Sequence, residues 1–150
     1  MAITASGLYG PTLEKMLIDT LAQTIESETV VFVGLALDAL TPDFNAHDFR
    51  NDITANEANG TGYTAGGTVE TATEVTLAGG VLTYDAADVS WAASTIPNAM
   101  AAFGYFKLGG ADTADPLMWL SDFITAASSS AGLFTVQWAG AGIFTIDFTP

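Results

Sequence analysis

The chain has 150 residues, with 3 Lys and Arg against 17 Asp and Glu, a formal charge of −14 with its one His neutral. That length suits one domain with one core, and the charge repels phosphate backbones and anionic lipid, which excludes nucleic acid and membranes as expected partners. There is no Cys, which excludes disulfides, thiolate metal sites and thiol nucleophiles.

Apolar residues reach 49%, but 25 of them are Ala, so the count overstates how greasy the chain is. Charged residues are only 13%, which argues against a disordered acidic tail. Fifteen Gly, about 20 Thr and 11% aromatics point to an all-β domain with many turns. No segment approaches the roughly 20 apolar residues of a membrane-spanning helix. Residues 1–10 carry no basic cluster and no long apolar stretch, so no signal peptide is expected.

In chain order, Gly10-Pro11 opens the one predicted helix, with Pro suited to the first turn. Leu13, Met16, Leu17, Leu21 and Ile25 recur at spacings of three and four, with Glu14 and Asp19 nearer the positive end. The pattern fades at Glu26-Ser27-Glu28. It predicts an amphipathic helix of about four turns, packed on the domain's own core or docking a partner. Residues 29–37 are nearly all apolar and predict a central strand buried on both faces. Residues 38–58 form a long polar loop with Pro42, a length typical of functional or mobile loops. Residues 59–67 are rich in turn signals.

Residues 69–77 and 81–84 flank Gly79-Gly80, a hairpin signal. Further strands are expected at 88–91, 99–108, 117–123, 133–138 and 143–148. Ala139-Gly140-Ala141-Gly142 is read as a hairpin loop joining the last two. Residues 126–132 are read as a flexible loop. About seven or eight strands with regular turn signals predict a mainly β, single-domain antiparallel β-sandwich, jelly-roll-like, with one N-terminal amphipathic helix. The arm and helix occupy 1–28 and the sandwich 29–150.

Catalysis finds little support. His47 lies in the long loop, and no Gly-x-Ser-x-Gly elbow offers it a nucleophile. Among 17 acids some pair always lies at glycosidase spacing, so that signal carries no specificity. Asp38, Asp43, Asp48 and Asp52, then Asp85 with Asp88 and Asp112 with Asp115, raise the question of calcium. None follows a calcium-loop pattern, and Asp also favours turns by bonding nearby amides. Asn59-Gly60-Thr61 fits the glycosylation sequon but is read as a tight turn. The aromatics Trp91, Phe103, Tyr105, Phe106, Trp119, Phe123, Phe134, Trp138, Phe144 and Phe148 alternate with Thr, Gly and Ala, which predicts core and not a sugar-stacking surface. No catalytic residue, cofactor or metal is assigned.

The order of several short motifs carries a resemblance. Thr41-Pro42-Asp43, His47-Asp48-Phe49, Asn51-Asp52 and Asn56-Glu57 lead into Gly60-Thr61-Gly62-Tyr63-Thr64-Ala65-Gly66-Gly67. Asp85-Ala86-Ala87-Asp88-Val89-Ser90-Trp91 and Ser94-Thr95-Ile96 follow. Ser128-Ser129-Ser130, Gly132-Leu133-Phe134-Thr135-Val136-Gln137-Trp138 and Gly142-Ile143-Phe144 close the series. Taken together, residues 30–148 resemble small virion proteins of tailed bacteriophages: capsid decoration (cement), head-fibre or minor tail proteins. The N-terminal region departs from that pattern in having only Lys15 as a basic residue up to Glu28, and residues 100–106 in being rich in Ala.

The resemblance implies a decoration protein made in the host bacterial cytoplasm and carried on the capsid exterior. It would bind the outer face of the major capsid protein as a homo-oligomer, a trimer being the expected form. A minor tail or neck protein and a receptor- or glycan-binding tip module are the alternatives. It assigns no functional residue. Irregular, polar composition next to apolar residues gives the candidate partner contacts: Ile3, Leu8 and Tyr9 in the arm, and Asp43, Phe44, His47 and Phe49 in the long loop.

Overall fold

The computed structural model describes residues 3–18, 21, 23–26 and 30–149. The expected parts of Asp19 in the helix, Ser27 and Glu28 at its end and Thr29 at the start of the central strand lie outside the described residues. The chain is mainly β, a sandwich-like stack of antiparallel sheets with one α-helix near the N-terminus.

The predicted central strand forms as β2 (Val31–Leu37). It pairs with β7 (Ala99–Phe106), which pairs in turn with β8 (Leu117–Ala127). Two short edges, β1 (Gly7–Leu8) beyond β8 and β3 (Thr68–Val69) beyond β2, complete a five-stranded sheet. The second layer is divided. β4 (Glu74–Ala78), β5 (Val81–Asp85) and β10 (Phe144–Asp147) make a three-stranded sheet with β5 central. β6 (Val89–Ser94) and β9 (Gly132–Val136) make a separate pair.

Alternation along the strands gives the five-stranded sheet two buried faces. Val31, Val33, Leu35, Ala102 and Trp119 join a core with Val89, Trp91, Phe134 and Val136 of the β6–β9 pair. Ala36, Ala101, Phe103, Tyr105 and Leu120 form the opposite core, closed by Ile3, Tyr9, Leu40 and Ile53. Each fully buried aliphatic side chain such as Leu35 contributes roughly 1.5–3 kcal/mol. The aromatics Trp91, Phe103, Tyr105, Phe106, Trp119 and Phe134 are core residues; Phe123, Trp138 and Phe144 are half-buried, and Phe148 is exposed.

Two glycines admit rings into this sheet. Gly34 lies opposite Phe103, and a Cβ there would stand 2.3 Å from that ring. Gly104 lies opposite Trp119, where a Cβ would stand 2.2 Å from the indole.

The long loop 38–58 is tied down. It carries two short 3-10 turns, Arg50–Asp52 and Thr54–Asn56, and its Leu40 and Ile53 are core. A buried ionic cluster locks its far end. Arg50 Nη2 donates to Glu57 Oε2 at 2.6 Å, and Arg50 Nη1 donates to Asp112. Glu57 Oε1 accepts from the Tyr63 hydroxyl at 2.7 Å and from the Gly66 amide at 2.5 Å. The Tyr105 hydroxyl reaches the Gly66 carbonyl at 2.9 Å, which stitches loop, glycine-rich turn and β7 together.

Four expectations need correction. The helix α1 spans Gly10–Leu17, two turns instead of four. Eight residues are too few to stand alone, and α1 is held by Pro11 in its first turn and by Met16 packing on the core. Leu21 and Ile25 still reach the core, but outside any helix. Residues 139–142 do not join two paired strands: β9 pairs with β6, and β10 with β5. The Trp138 amide is held by Asp88 Oδ1 and the Ile143 amide by the Tyr84 carbonyl, so the turn hands the chain from one small sheet to the other. Residues 126–132 are not all loop, since β8 runs to Ala127 and β9 starts at Gly132. The Gly79-Gly80 turn forms, with both glycines at positive φ (59° and 83°), as a two-residue I′-type turn requires, but the strand expected over 69–77 is split: β3 pairs with β2, and only β4, from Glu74, joins the hairpin.

Candidate functional site

The three-stranded sheet has one polar and one apolar face. Its register sets Val75 opposite Tyr84 and Leu77 opposite Leu82 across β4 and β5. Phe144 lies opposite Tyr84 and Ile146 opposite Leu82 across β10. All six side chains therefore share a face, and Glu74, Thr76, Thr83, Asp85, Thr145 and Asp147 share the other.

The apolar face turns toward α1. Between them lies an open groove with a cavity of about 170 Å³. Val75, Leu82, Tyr84, Phe144 and Ile146 form the sheet wall, and Tyr9, Thr12, Leu13 and Met16 the helix wall. Leu8, Ile25 and Met118 close its ends and floor, and the lining is almost wholly apolar. The apolar surface continues past the cavity. Leu17 is 78% exposed, Leu77 68% and Phe148 63%. Leu17 follows Leu13 by one helical turn, and Leu77 follows Val75 by one pleat, so each extends a wall of the groove.

Polar groups sit behind these walls. The Tyr84 hydroxyl points away from solvent and donates to Glu70 Oε2 at 2.5 Å. Glu70 is fully buried, and its other oxygen has no hydrogen-bond partner among the described residues. Burial raises its pKa to about 7; the Tyr84 hydrogen bond acts against that rise and nearby Asp85 adds to it. Burial, and then the Glu70 charge, push the Tyr84 hydroxyl well above the usual tyrosine range. On the helix side, the Tyr9 hydroxyl and Thr12 Oγ1 are buried without hydrogen-bond partners among the described residues. A second cavity, of about 380 Å³, lies between β1–β8 and β10, beside Ser6, Trp119 and Thr145.

The predicted contact residues fall in different places. Leu8 lines the groove. Ile3 and Tyr9 are corrected: they are 1% and 0% exposed and belong to the chain's own core, not to an exposed arm, and Tyr9 meets the outside only through the wall of the groove. The loop candidates mostly join the loop to the arm and helix. Phe44 packs against Tyr9 with ring centroids 5.2 Å apart, and the His47 ring stacks on Tyr9 at 6.3 Å. Phe49 lies 4.1 Å below the Lys15 ammonium, which also pairs with Asp48 at 3.1 Å. Asp43 Oδ1 accepts from the amides of Asn45 and Ala46 and shapes the turn.

The other loop acids do similar work. Asp38 accepts from the Ile3 amide, Asp52 from those of Asp48 and Phe49, Asp88 from that of Trp138, and Asp115 from that of Leu108. No cluster of three or more potential metal ligands occurs among the described residues. Sequence reading had the helix wall, as the Leu13–Met16–Leu17 stripe. It missed the sheet wall, whose alternation marks strands but not the helix they face.

Comparison with known proteins finds no matching family model, no matching curated protein and no matching solved structure.

Proposed function

We propose that the chain is a non-catalytic docking module, a capsid decoration protein of a tailed bacteriophage that attaches to the outer face of the major capsid protein and stabilises the head. One observation carries the docking part: an apolar groove whose walls extend into exposed Leu17, Leu77 and Phe148. Contiguous exposed apolar surface of this kind marks interaction sites. The virion part is supported by the motif order of residues 41–144, and by a charge of −14 that favours solubility before assembly and disfavours adhesion to nucleic acid. Many copies on one shell would add avidity to a modest single contact.

The test is the copy number per purified particle, by quantitative mass spectrometry against the major capsid protein. A ratio of about one to one, or about one to three for one copy per three-fold set, supports decoration. A ratio below about one to twenty moves the chain to the tail, neck or a receptor-binding tip, where symmetry allows only few copies.

A further inference from the structure

We propose that the groove seats a polypeptide segment of the partner that offers one large apolar anchor flanked by Lys and Arg; this rests on the docking function above and names the chemistry it recognises. The cavity sets the anchor. A volume of about 170 Å³ is close to that of the ~150 Å³ cavity that takes benzene, so one Phe, Leu or Met side chain fills it. The exposed walls beyond it, Leu17 and Leu77, then cover the residues on either side, as the surround of an interface hot spot does.

Charge sets the flanks. Glu26 is exposed on the edge of β4, where its Oε1 accepts the amide of the groove residue Val75 at 2.9 Å, and it follows Ile25 at the end of the groove. The chain's three cations are all held within the fold. Lys15 is bound by Asp48 and Phe49, Arg50 is buried with Glu57 and Asp112, and Lys107 lies 4.6 Å above the Phe32 ring. Glu26 at the rim, in a chain of net charge −14, is therefore best matched by cations from outside. A second copy would set −14 against −14, and anionic lipid would meet the same repulsion.

The experiment uses the full chain with two labelled amphipathic peptides that share a Leu face, one with Lys and one with Glu on the other face. Binding is read by fluorescence anisotropy, and self-association by sedimentation. The expected result is that the Leu/Lys peptide binds, the Leu/Glu peptide does not, and Leu77→Asp weakens binding about ten-fold or more. The sign is diagnostic. Attraction by net charge alone would make Leu77→Asp, which adds a negative charge, bind at least as well, and that result overturns the proposal. Leu17→Asp on the opposite wall is a second variant, and circular dichroism checks that both fold. No binding of the Leu/Lys peptide also overturns it, as does a self-associated wild type that Leu77→Asp renders monomeric. Attachment to particles separates the two readings. If the Leu/Lys peptide fails while Leu77→Asp abolishes attachment, docking stands and this chemistry falls. If the peptide binds the groove but no particle carries the chain, this chemistry stands and the virion role falls.

Discussion

Two buried carboxylates, thirteen positions apart, are treated in opposite ways. Glu57 has an arginine, a tyrosine hydroxyl and a backbone amide, three groups of the loop and glycine-rich turn gathered on one side chain. Glu70 has a tyrosine hydroxyl and, among the described residues, no cation. A buried charge must be compensated by hydrogen bonds and a counter-charge, or it takes up a proton. The first carboxylate is built to stay in place and hold others. The second is a point where the fold responds to pH, directly behind the wall of the proposed docking groove.

The sharpest way to break this contrast is to remove the cation. Arg50→Ala leaves Glu57 buried without its counter-charge and Asp112 without its partner, and should cost about 3–5 kcal/mol in urea unfolding. A loss below 1 kcal/mol would mean that the cluster is dispensable.

Next comes pH. In the unfolded chain Glu70 releases its proton near the ordinary 4.5, and in the folded chain near 7. Between those values the folded state binds more protons than the unfolded one, so stability falls as pH rises. The contribution is complete below about pH 4.5 and lost above about pH 7, a swing of about 3 kcal/mol. Urea midpoints at pH 5 and pH 8 should therefore differ between wild type and Glu70→Gln, with the variant relatively more stable at pH 8. Parallel pH curves for the two proteins would rule this out.

The two tyrosines give a finer comparison. Tyr84→Phe removes the one hydrogen bond to the Glu70 carboxylate seen among the described residues and should cost about 1–3 kcal/mol at pH 8, and less at pH 5 where the carboxyl is neutral. Tyr63→Phe leaves Glu57 its Arg50 and Gly66 bonds but deprives the Leu35 amide of its acceptor, and should cost about 1 kcal/mol. The smallest effect belongs to the surface. Lys15→Ala removes a partly exposed pair with Asp48 and a contact with Phe49, about 0–1 kcal/mol, and the loss should shrink further in high salt.

What could be read from the residues follows the range of the physics involved. The Gly79-Gly80 turn and the apolar run of β2 are decided locally, and both are legible. The turn at 139–142 looks the same as a hairpin loop, yet β9 finds its partner about 45 positions earlier, in β6, and alternation carries no information about partners. Helical periodicity reached through Leu21 and Ile25 because both do face the core. The spacing could not register that the helix itself ends at Leu17. Ile3 and Tyr9 resemble an exposed arm in composition, and only the loop folded over them makes them core. The groove needed three segments far apart in sequence to meet, so only its helix wall was visible beforehand.

The rings over Gly34 and Gly104 bear on how the sheet would answer a pulling force. β7 is keyed to both neighbours, by its own Phe103 into a notch in β2 on one face, and by Trp119 of β8 into its notch at Gly104 on the other. A slip of two residues keeps every side chain on its face, so it is the cheapest misregister open to a sheet. Here it would drive Phe103 onto Phe32 or Ala36, and Trp119 onto Ala102 or Phe106. The three long strands therefore resist sliding as a ratchet does, by shape, and would do so even where the shear is shared evenly along their hydrogen bonds.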